Sequence, residues 1–458
     1  MVVMTLIIVA VLLVGYLLVA TEHINHISRA AVAMFTGVIA WLVYMLRGGT
    51  FLKKVHPEEY FSYLGGESSS AEAVKDFVAN HIMTGYIGEA CSVILFLIAT
   101  NTIVEVMNNN GVFLPLVKLV RMKSAKKFLW VITLLTFAVS ANIDNVITVI
   151  LMLTLVGQIV RSHRQKIIYA CAIMMAANLG GAFTVIGDMT TLMMWVHGVV
   201  TPSAFSSGLF LPCLSALVVF NLLTSRLLYD NVETYSFIHK YDGDESPLSP
   251  FQKYLLLFIG LAGLWSIPTF HYVTKLPPFV GALCVLALIW AVEGICNLER
   301  SGMDTFVQRH YYKNTEFVGT KLIIYYIGIT LGVGALTETG IITSFAESIH
   351  SWLGNTYLYA AIMGVFSTVI DNVPIVMAGM KSFDLSSDVA SDFALNGIYW
   401  QLLSYCCAIG GSMLLFGSLA GHSVLELENV RFSWYFRHFL WRVSVAGLVG
   451  FIVFVLTH

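Results

Sequence analysis

Four carboxylates stand inside stretches otherwise apolar enough to lie in a membrane: Glu105, Asp144, Asp188 and Asp371. An ionisable side chain at mid-bilayer costs at least about 2.5–3.5 kcal/mol and is functional by default. Asp144 and Asp371 are each followed by an asparagine, Asn145 and Asn372. Asp188 lies in Asn178-Leu-Gly-Gly-Ala-Phe-Thr-Val-Ile-Gly-Asp-Met-Thr190-Thr191, which combines three glycines, an acid and two hydroxyls. Ile409-Gly-Gly-Ser412-Met-Leu-Leu-Phe-Gly417-Ser418 holds three glycines and two hydroxyls. Glycine lets backbone unwind and approach a ligand. Freed carbonyls, amides and hydroxyls are hard oxygen donors suited to a small alkali cation. A carboxylate supplies the charge, which either a cation or a proton can cancel. A site that accepts both in turn is an exchanger.

Each feature also has a plainer reading. Gly-Gly in a membrane helix can serve close helix packing. An Asp-Asn tip can be a buried helix cap. Glu105 lies near a span end, where it is either a snorkelled surface acid or a proton relay. Glu89 and Glu338 carry less weight, and His197 and His422 read as interfacial. The duplication described below favours function for the Asp-Asn pairs.

The elements that position these groups follow from composition. Of 458 residues, 57% are hydrophobic and 11% charged, with a net charge of −2. An average soluble domain carries about 25% charge. Soluble enzymes, nucleic-acid binders, secreted disulfide scaffolds and disordered chains are therefore excluded. Seven cysteines fall almost wholly in apolar runs with no zinc-like spacing, and Cys406-Cys407 reads as helix packing. Val2 to Ala20 has no basic leader region and reads as a retained first span. Apolar runs lie near 2–20, 30–46, 88–106, 128–160, 167–197, 208–228, 254–273, 277–296, 320–353, 356–380, 396–424 and 433–456. Polar loops occupy 229–253 and 297–319, and a short interfacial helix is expected around Ser70 to Asn80.

The run 128–160 has the wrong length. Its 33 residues would make a helix about 50 Å long, against a hydrocarbon core of about 30 Å. Lys118, Arg121, Lys123, Lys126 and Lys127 precede it, and Arg161, Arg164 and Lys166 follow. Basic flanks mark the cytoplasmic side, so both ends belong there. A re-entrant hairpin with its polar tip, Ser140 to Asn145, at mid-membrane satisfies this pattern.

The pattern recurs with opposite sign. Ser140-Ala-Asn-Ile-Asp-Asn-Val-Ile-Thr-Val matches Ser367-Thr-Val-Ile-Asp-Asn-Val-Pro-Ile-Val at an offset of 227. Gly180, Gly181 and Gly187 match Gly410, Gly411 and Gly417 at an offset of 230. Two matches in one order indicate an internal duplication. The second hairpin, 356–380, has mostly acidic flanks and opens outward. Inverted repeats of this kind occur in secondary transporters. The expected fold is an all-α polytopic membrane protein of two inverted-topology repeats, with about ten crossings, two re-entrant hairpins and broken helices. The N-terminal repeat spans 1–228 (hairpin 128–160, broken helix 167–197). A cytoplasmic linker covers 229–253, and the C-terminal repeat spans 254–458 (hairpin 356–380, broken helix 396–424). Arg47, Lys53 and Lys54 fall on the wrong side of this scheme.

Two other classes fit less well. An intramembrane aspartyl protease carries Gly-x-Gly-Asp before its second acid, whereas here Val185-Ile-Gly-Asp188 lacks the first glycine. A passive channel needs no inverted hairpins.

At Thr102-Ile-Val-Glu105, Ser140 to Asn145, Asn178 to Thr191, Ser367 to Pro374 and Gly417-Ser418, the chain resembles the NhaD-type sodium/proton antiporters of the ion transporter superfamily. The resemblance covers both halves. It implies exchange of Na⁺ or Li⁺ for H⁺, with no other cofactor. Glu105, Asp144, Asn145, Asn178, Asp188, Thr190, Thr191, Ser367 and Asn372 match positions used for ion binding or transport. It also implies a homodimer whose mobile domain moves as an elevator. The chain departs from the usual pattern at Asn142 and in the continuation Leu-Ala-Gly-His422. The resulting expectation is Na⁺/H⁺ exchange across the inner (plasma) membrane. Na⁺ would be held at Asp144, Asn145, Asp371 and Asn372, with Asp188, Ser412 and Ser418 supporting and Glu105 as a proton relay. The alternative within transporters is Na⁺-coupled import of a small anion, which needs anion-facing helix N-termini or an Arg at the site, and no Arg or Lys lies in any of these motifs.

Overall fold

The computed structural model describes residues 2–66, 68–113, 122–229, 231–233, 248–298, 318–428 and 430–458. Lys118, Arg121, most of the 229–253 linker and most of the 297–319 loop lie outside the described residues. Among those described, the regular elements are helices, and two isolated β-bridges pair loop residues, Ser124 with Asn231 and Ser386 with Ala394.

The first repeat comprises α1 (Val2–Ala20), α2 (Arg29–Met45), α3 (Thr84–Asn109), α4 (Ala125–Ser140), α5 (Asn145–Ile159), α6 (His163–Ala182), α7 (Met189–Val196) and α8 (Pro202–Thr224). The second comprises α9 (Pro250–Thr274), α10 (Pro278–Leu298), α11 (Val318–Thr337), α12 (Ile341–Leu353), α13 (Thr356–Val369), α14 (Asn372–Met380), α15 (Ile398–Met413), α16 (Leu419–Glu428) and α17 (Trp441–Thr457). Among the described residues, seven helical stretches are long and apolar enough to cross a membrane by themselves. The 17-residue α2 is bent 88° from the helix that follows it, and the pairs α6–α7 and α15–α16 are each broken near the middle.

Both runs fold as helix–tip–helix hairpins. α4 and α5 meet at a four-residue tip, 141–144, and their far ends return to one place. Val232 donates its N–H to the carbonyl of Lys123 (2.7 Å), and Arg161 donates to the carbonyl of Glu233 (2.6 Å). One short segment thus ties the start and the finish of the first hairpin. In the second, Thr356 Oγ1 donates to Asp392 (2.6 Å), and the Tyr359 ring packs on Phe383 at 5.4 Å.

The two hairpins open on opposite faces. α6 begins beside the open end of the first hairpin, where Gln165 donates to the carbonyl of Asn231 (3.1 Å). The broken helix it starts ends near Val199, whose carbonyl accepts from Asn396 (3.0 Å), at the open end of the second hairpin. α15 starts there and α16 returns, placing Glu428 within electrostatic reach of Lys166 and His163. This is the inverted arrangement.

Three expectations need correction. The stretch around Ser70 to Asn80 is not a separate surface helix. Ser70 caps Ala71–Phe77, which continues through a π-helical turn, Val78–Met83, into α3. The run 320–353 is not one rod: it breaks at Gly340, whose φ of 72° suits glycine, to give α11 and α12. His422 is not interfacial; it is 5% exposed, and its ring nitrogen lies 3.1 Å from the Ser418 carbonyl oxygen. The misplaced Lys53 and Lys54 have a physical account. They sit on Gly48–Val55, a helix bent 88° from α2 that buries Phe51 and Leu52 and exposes both lysines. A helix lying along the interface lets Lys heads reach water.

Candidate functional site

The site is built where four half-helices begin. Asp144 is the N-cap of α5, its Oδ1 accepting from Val146 N (3.0 Å). Asp371 caps α14 in the same way, accepting from Val373 N (3.3 Å). The two caps share one backbone shape, φ/ψ of −44°/138° and −45°/146°. Asp188 caps α7, its Oδ1 accepting from Thr190 N and Thr190 Oγ1, both at 2.9 Å. Ser418 precedes α16 and accepts from Gly421 N (3.2 Å). A helix N-terminus carries partial positive charge. Three of these four termini are faced by an acid of the chain itself.

Glycine and serine lock each hairpin to its broken helix. Ser140 Oγ donates to the carbonyl of Ala177 (2.7 Å), and Ser367 Oγ donates to the carbonyl of Cys407 (3.0 Å), one contact in each repeat. A Cβ on Gly181 would lie 2.6 Å from the Gly187 carbonyl oxygen; one on Gly411 would lie 2.9 Å from that of Gly417. The duplicated glycines let each break fold back on its own helix, which no side chain would allow.

A buried amide and hydroxyl network crosses between the repeats. Asn145 Nδ2 donates to Asp188 Oδ2 (2.5 Å) and to Asn178 Oδ1 (3.3 Å). Asn178 Nδ2 donates to Ser412 Oγ (2.9 Å) and Ser418 Oγ (3.2 Å). Thr191 Oγ1 donates to the Asp188 carbonyl (2.9 Å). Asn178, Thr191, Ser412 and Ser418 are 0% exposed, Asp188 3%, and Asp144 and Asn145 4%. Asp188 lies within electrostatic range of both Asp144 and Asp371. A cluster of acids buried this deeply must take up positive charge, as a cation or as protons.

Hydrogen bonds therefore gather Asn145, Asn178, Asp188, Thr190, Thr191, Ser412 and Ser418, and Asp144 joins them through its electrostatic contact with Asp188 and not through a hydrogen bond of its own among the described residues. Ser367 serves the helix lock. Asp371 and Asn372 are buried, 5% and 3% exposed, but no hydrogen bond joins them to that network among the described residues. Asp371 instead accepts from Tyr325 Oη of α11 (2.8 Å). Glu105 is half-buried on α3 and makes no hydrogen bond among the described residues. Sequence reading missed Tyr325, and also Arg29, whose guanidinium lies 5.8 Å from the Tyr325 ring centre. Asn142, the unusual tip residue, accepts from the indole of Trp265 on α9.

A protein-family profile described as citrate transporter matches residues 6–400. Sodium/proton antiporter 2 of Arabidopsis thaliana is 29% identical over 97% of this chain and 97% of its own length. Sodium/proton antiporter 1 of the same plant is 32% identical over 79% of this chain and 60% of its own length. The Na⁺/H⁺ antiporter NhaD of Vibrio cholerae is 24% identical over 95% of this chain and 92% of its own length. The chain is a multi-pass membrane transporter and not an enzyme, related to the NhaD-type antiporters of the ion transporter superfamily, and it belongs to the citrate transporter family.

Proposed function

We propose that the protein exchanges Na⁺ (or Li⁺) for H⁺ across the inner (plasma) membrane. The observation that carries this reading is the capping of inward half-helix N-termini by Asp144, Asp188 and Asp371. In an anion carrier those termini would be left for the substrate's carboxylates. Here the chain's own carboxylates fill them, and the centre calls for a cation. The antiporter names of the relatives support the same reading.

In this mechanism Asp144 and Asp188 hold Na⁺ or protons alternately. Asn145 orients Asp188, and Asn178 ties that pair to Ser412 and Ser418. At high pH the acids are ionised and take the cation; at low pH protons displace it. Alternating access is by an elevator motion of the hairpins and broken helices, α4–α7 and α13–α16, against the remaining helices, in a homodimer.

The test uses acid-loaded vesicles containing the purified protein. Na⁺ added without organic anion alkalinises the interior if exchange is correct, and Asp144→Asn abolishes the response while still inserting. The family match keeps Na⁺-coupled import of citrate as the second reading. A response to Na⁺ that requires added citrate would establish that reading instead.

A further inference from the structure

The two hairpin tips are equivalent in backbone but not in company. In the first repeat, the positions facing the tip are Asn178 and Asp188. At the repeat offset of 230 the second repeat has Ala408 and Ser418. The amide and the second acid are both gone. The second tip has acquired other neighbours. Tyr325 Oη donates to Asp371 Oδ2 (2.8 Å), and the Arg29 guanidinium lies 5.8 Å from the ring centre of Tyr325. This placement is set by packing. α2 and α11 touch through small residues: a Cβ on Gly37 would lie 2.6 Å from the Gly328 carbonyl oxygen. Gly328 is one turn from Tyr325, and Gly37 two turns from Arg29.

Arg29 is a group with spare capacity. Its Nη1 is buried without a hydrogen-bond partner. Its Nε lies 3.8 Å from Glu22 Oε2, and its backbone N–H donates to Glu22 Oε1 (3.0 Å). The side chains of Arg29 and Glu22 are 21% and 22% exposed, while Arg29 Nη1 and Glu22 Oε2 themselves are buried. The groups that face Asp371 electrostatically are Tyr325, Arg29, Tyr16 and Asp188. Arg29 is the one cation among them, and a guanidinium keeps its charge at any physiological pH.

We propose that Arg29 and Tyr325 are positioning residues that hold Asp371 as a compensated carboxylate, leaving one cation site per protomer at Asp144 and Asp188. Arg29 acts as a tethered cation in the half-site that duplication would otherwise have given to a second Na⁺. Tyr325 carries the link: its hydroxyl fixes the carboxylate, and its ring face supports the guanidinium. The inference rests on the exchange reading above, and it adds that the exchange is structurally asymmetric.

The experiment measures ²²Na⁺ bound per protomer at saturation, together with Na⁺-driven alkalinisation, for purified wild type and four variants. Wild type is expected to bind one Na⁺ with a Hill coefficient near one. Arg29→Gln leaves a buried carboxylate without its counter-charge, so its Na⁺ binding becomes two per protomer or its exchange falls at least tenfold. Arg29→Lys keeps the charge and retains wild-type stoichiometry. In Arg29→Gln combined with Asp371→Asn, both partners are gone, and binding returns to one Na⁺ with exchange recovered relative to Arg29→Gln. Tyr325→Phe shifts the exchange pH profile while still binding Na⁺. Gel filtration and thermal melts confirm that each variant is folded, and the conservative and double variants separate charge loss from misfolding. Two Na⁺ bound by wild type, or a double variant no better than Arg29→Gln, would overturn the proposal. Wild type that ignores Na⁺ altogether would overturn the exchange reading instead.

Discussion

Asn145 donates to Asp188 at 2.5 Å, joining the tip of the first hairpin to the break in the following helix. The bond fixes one oxygen of Asp188 while Thr190 occupies the other from two directions. Asp188 is thus held rigidly. Asp144 is held by backbone N–H groups at the start of α5 and by no side chain among the described residues, and is the more adaptable partner. A preorganised acid beside an adaptable one suits a small ion that must bind and also leave.

Removing that amide weakens cation binding. A hydrogen bond to a charged group contributes about 1.5–3 kcal/mol, or about 10- to 150-fold in affinity. Asn145→Ala is expected to raise the Na⁺ concentration for half-maximal alkalinisation by at least tenfold, with a smaller change in maximal rate. Dose–response curves in acid-loaded vesicles measure both. An unchanged half-maximal concentration would show that Asn145 does not shape the site.

The close approach of the broken helix to the hairpin makes a second test. A Cβ on Gly187 would run into the Ser140 carbonyl oxygen, whereas Gly157 on α5 has open space around its Cβ position. Overpacking in a filled interior costs about 1–3 kcal/mol. Gly187→Ala is therefore expected to lower the melting temperature in detergent and to impair exchange. Gly157→Ala is expected to be neutral or slightly stabilising, since Ala exceeds Gly in helix propensity by about 1 kcal/mol. Equal behaviour of the two would refute the lock.

Much of this arrangement was legible in the chain. The first hairpin announced itself through a run too long to cross once with basic groups at both ends, and the duplicate Asp-Asn tips located the second. The broken helices followed from glycines at one offset. The missing parts depend on long-range packing. Arg29 and Tyr325 are far apart in sequence, and only the α2–α11 contact brings them together. His422 stood near the end of an apolar run and read as interfacial, yet the fold-back at Gly417 buries it. The break at Gly340 was hidden because the hydropathy of 320–353 averages over Glu338-Thr339-Gly340. Those three residues were the available signal.

The proposed elevator motion is open to direct test at the open end of the second hairpin. Lys381, just after α14, places its Nζ 3.2 and 3.3 Å from the Glu89 carboxylate of α3, and His197 at the end of α7 lies 3.7 Å from the same acid. One residue of α3 thus holds both elements assigned to the moving part. Cysteines at 89 and 381, in a background with the exposed Cys91 and Cys284 replaced by serine, should crosslink through a short bifunctional thiol reagent. Crosslinking with a disulfide-containing reagent is expected to stop exchange, and reductant to restore it. Full exchange while crosslinked would refute relative motion between α3 and α14.

His56, at the end of the Gly48–Val55 helix, places Nε2 2.9 Å from Glu338 and Nδ1 3.2 Å from Glu59. Tyr86 Oη donates to the other oxygen of Glu338 (2.9 Å). The hydrogen bond to Glu338 pushes the His56 pKa above its usual value of 6.5, against the opposing effect of burial. A raised folded-state pKa adds stability that is fully present below the unfolded value and lost as pH rises through the folded value. His56→Gln is therefore expected to lower the melting temperature most at pH 6, with the difference from wild type shrinking as pH climbs toward 9. Glu338→Gln should remove the same pH dependence from the opposite side of the pair. Melting curves across that range decide it: a difference that stays constant, or grows with pH, would mean that His56 is not held protonated by Glu338.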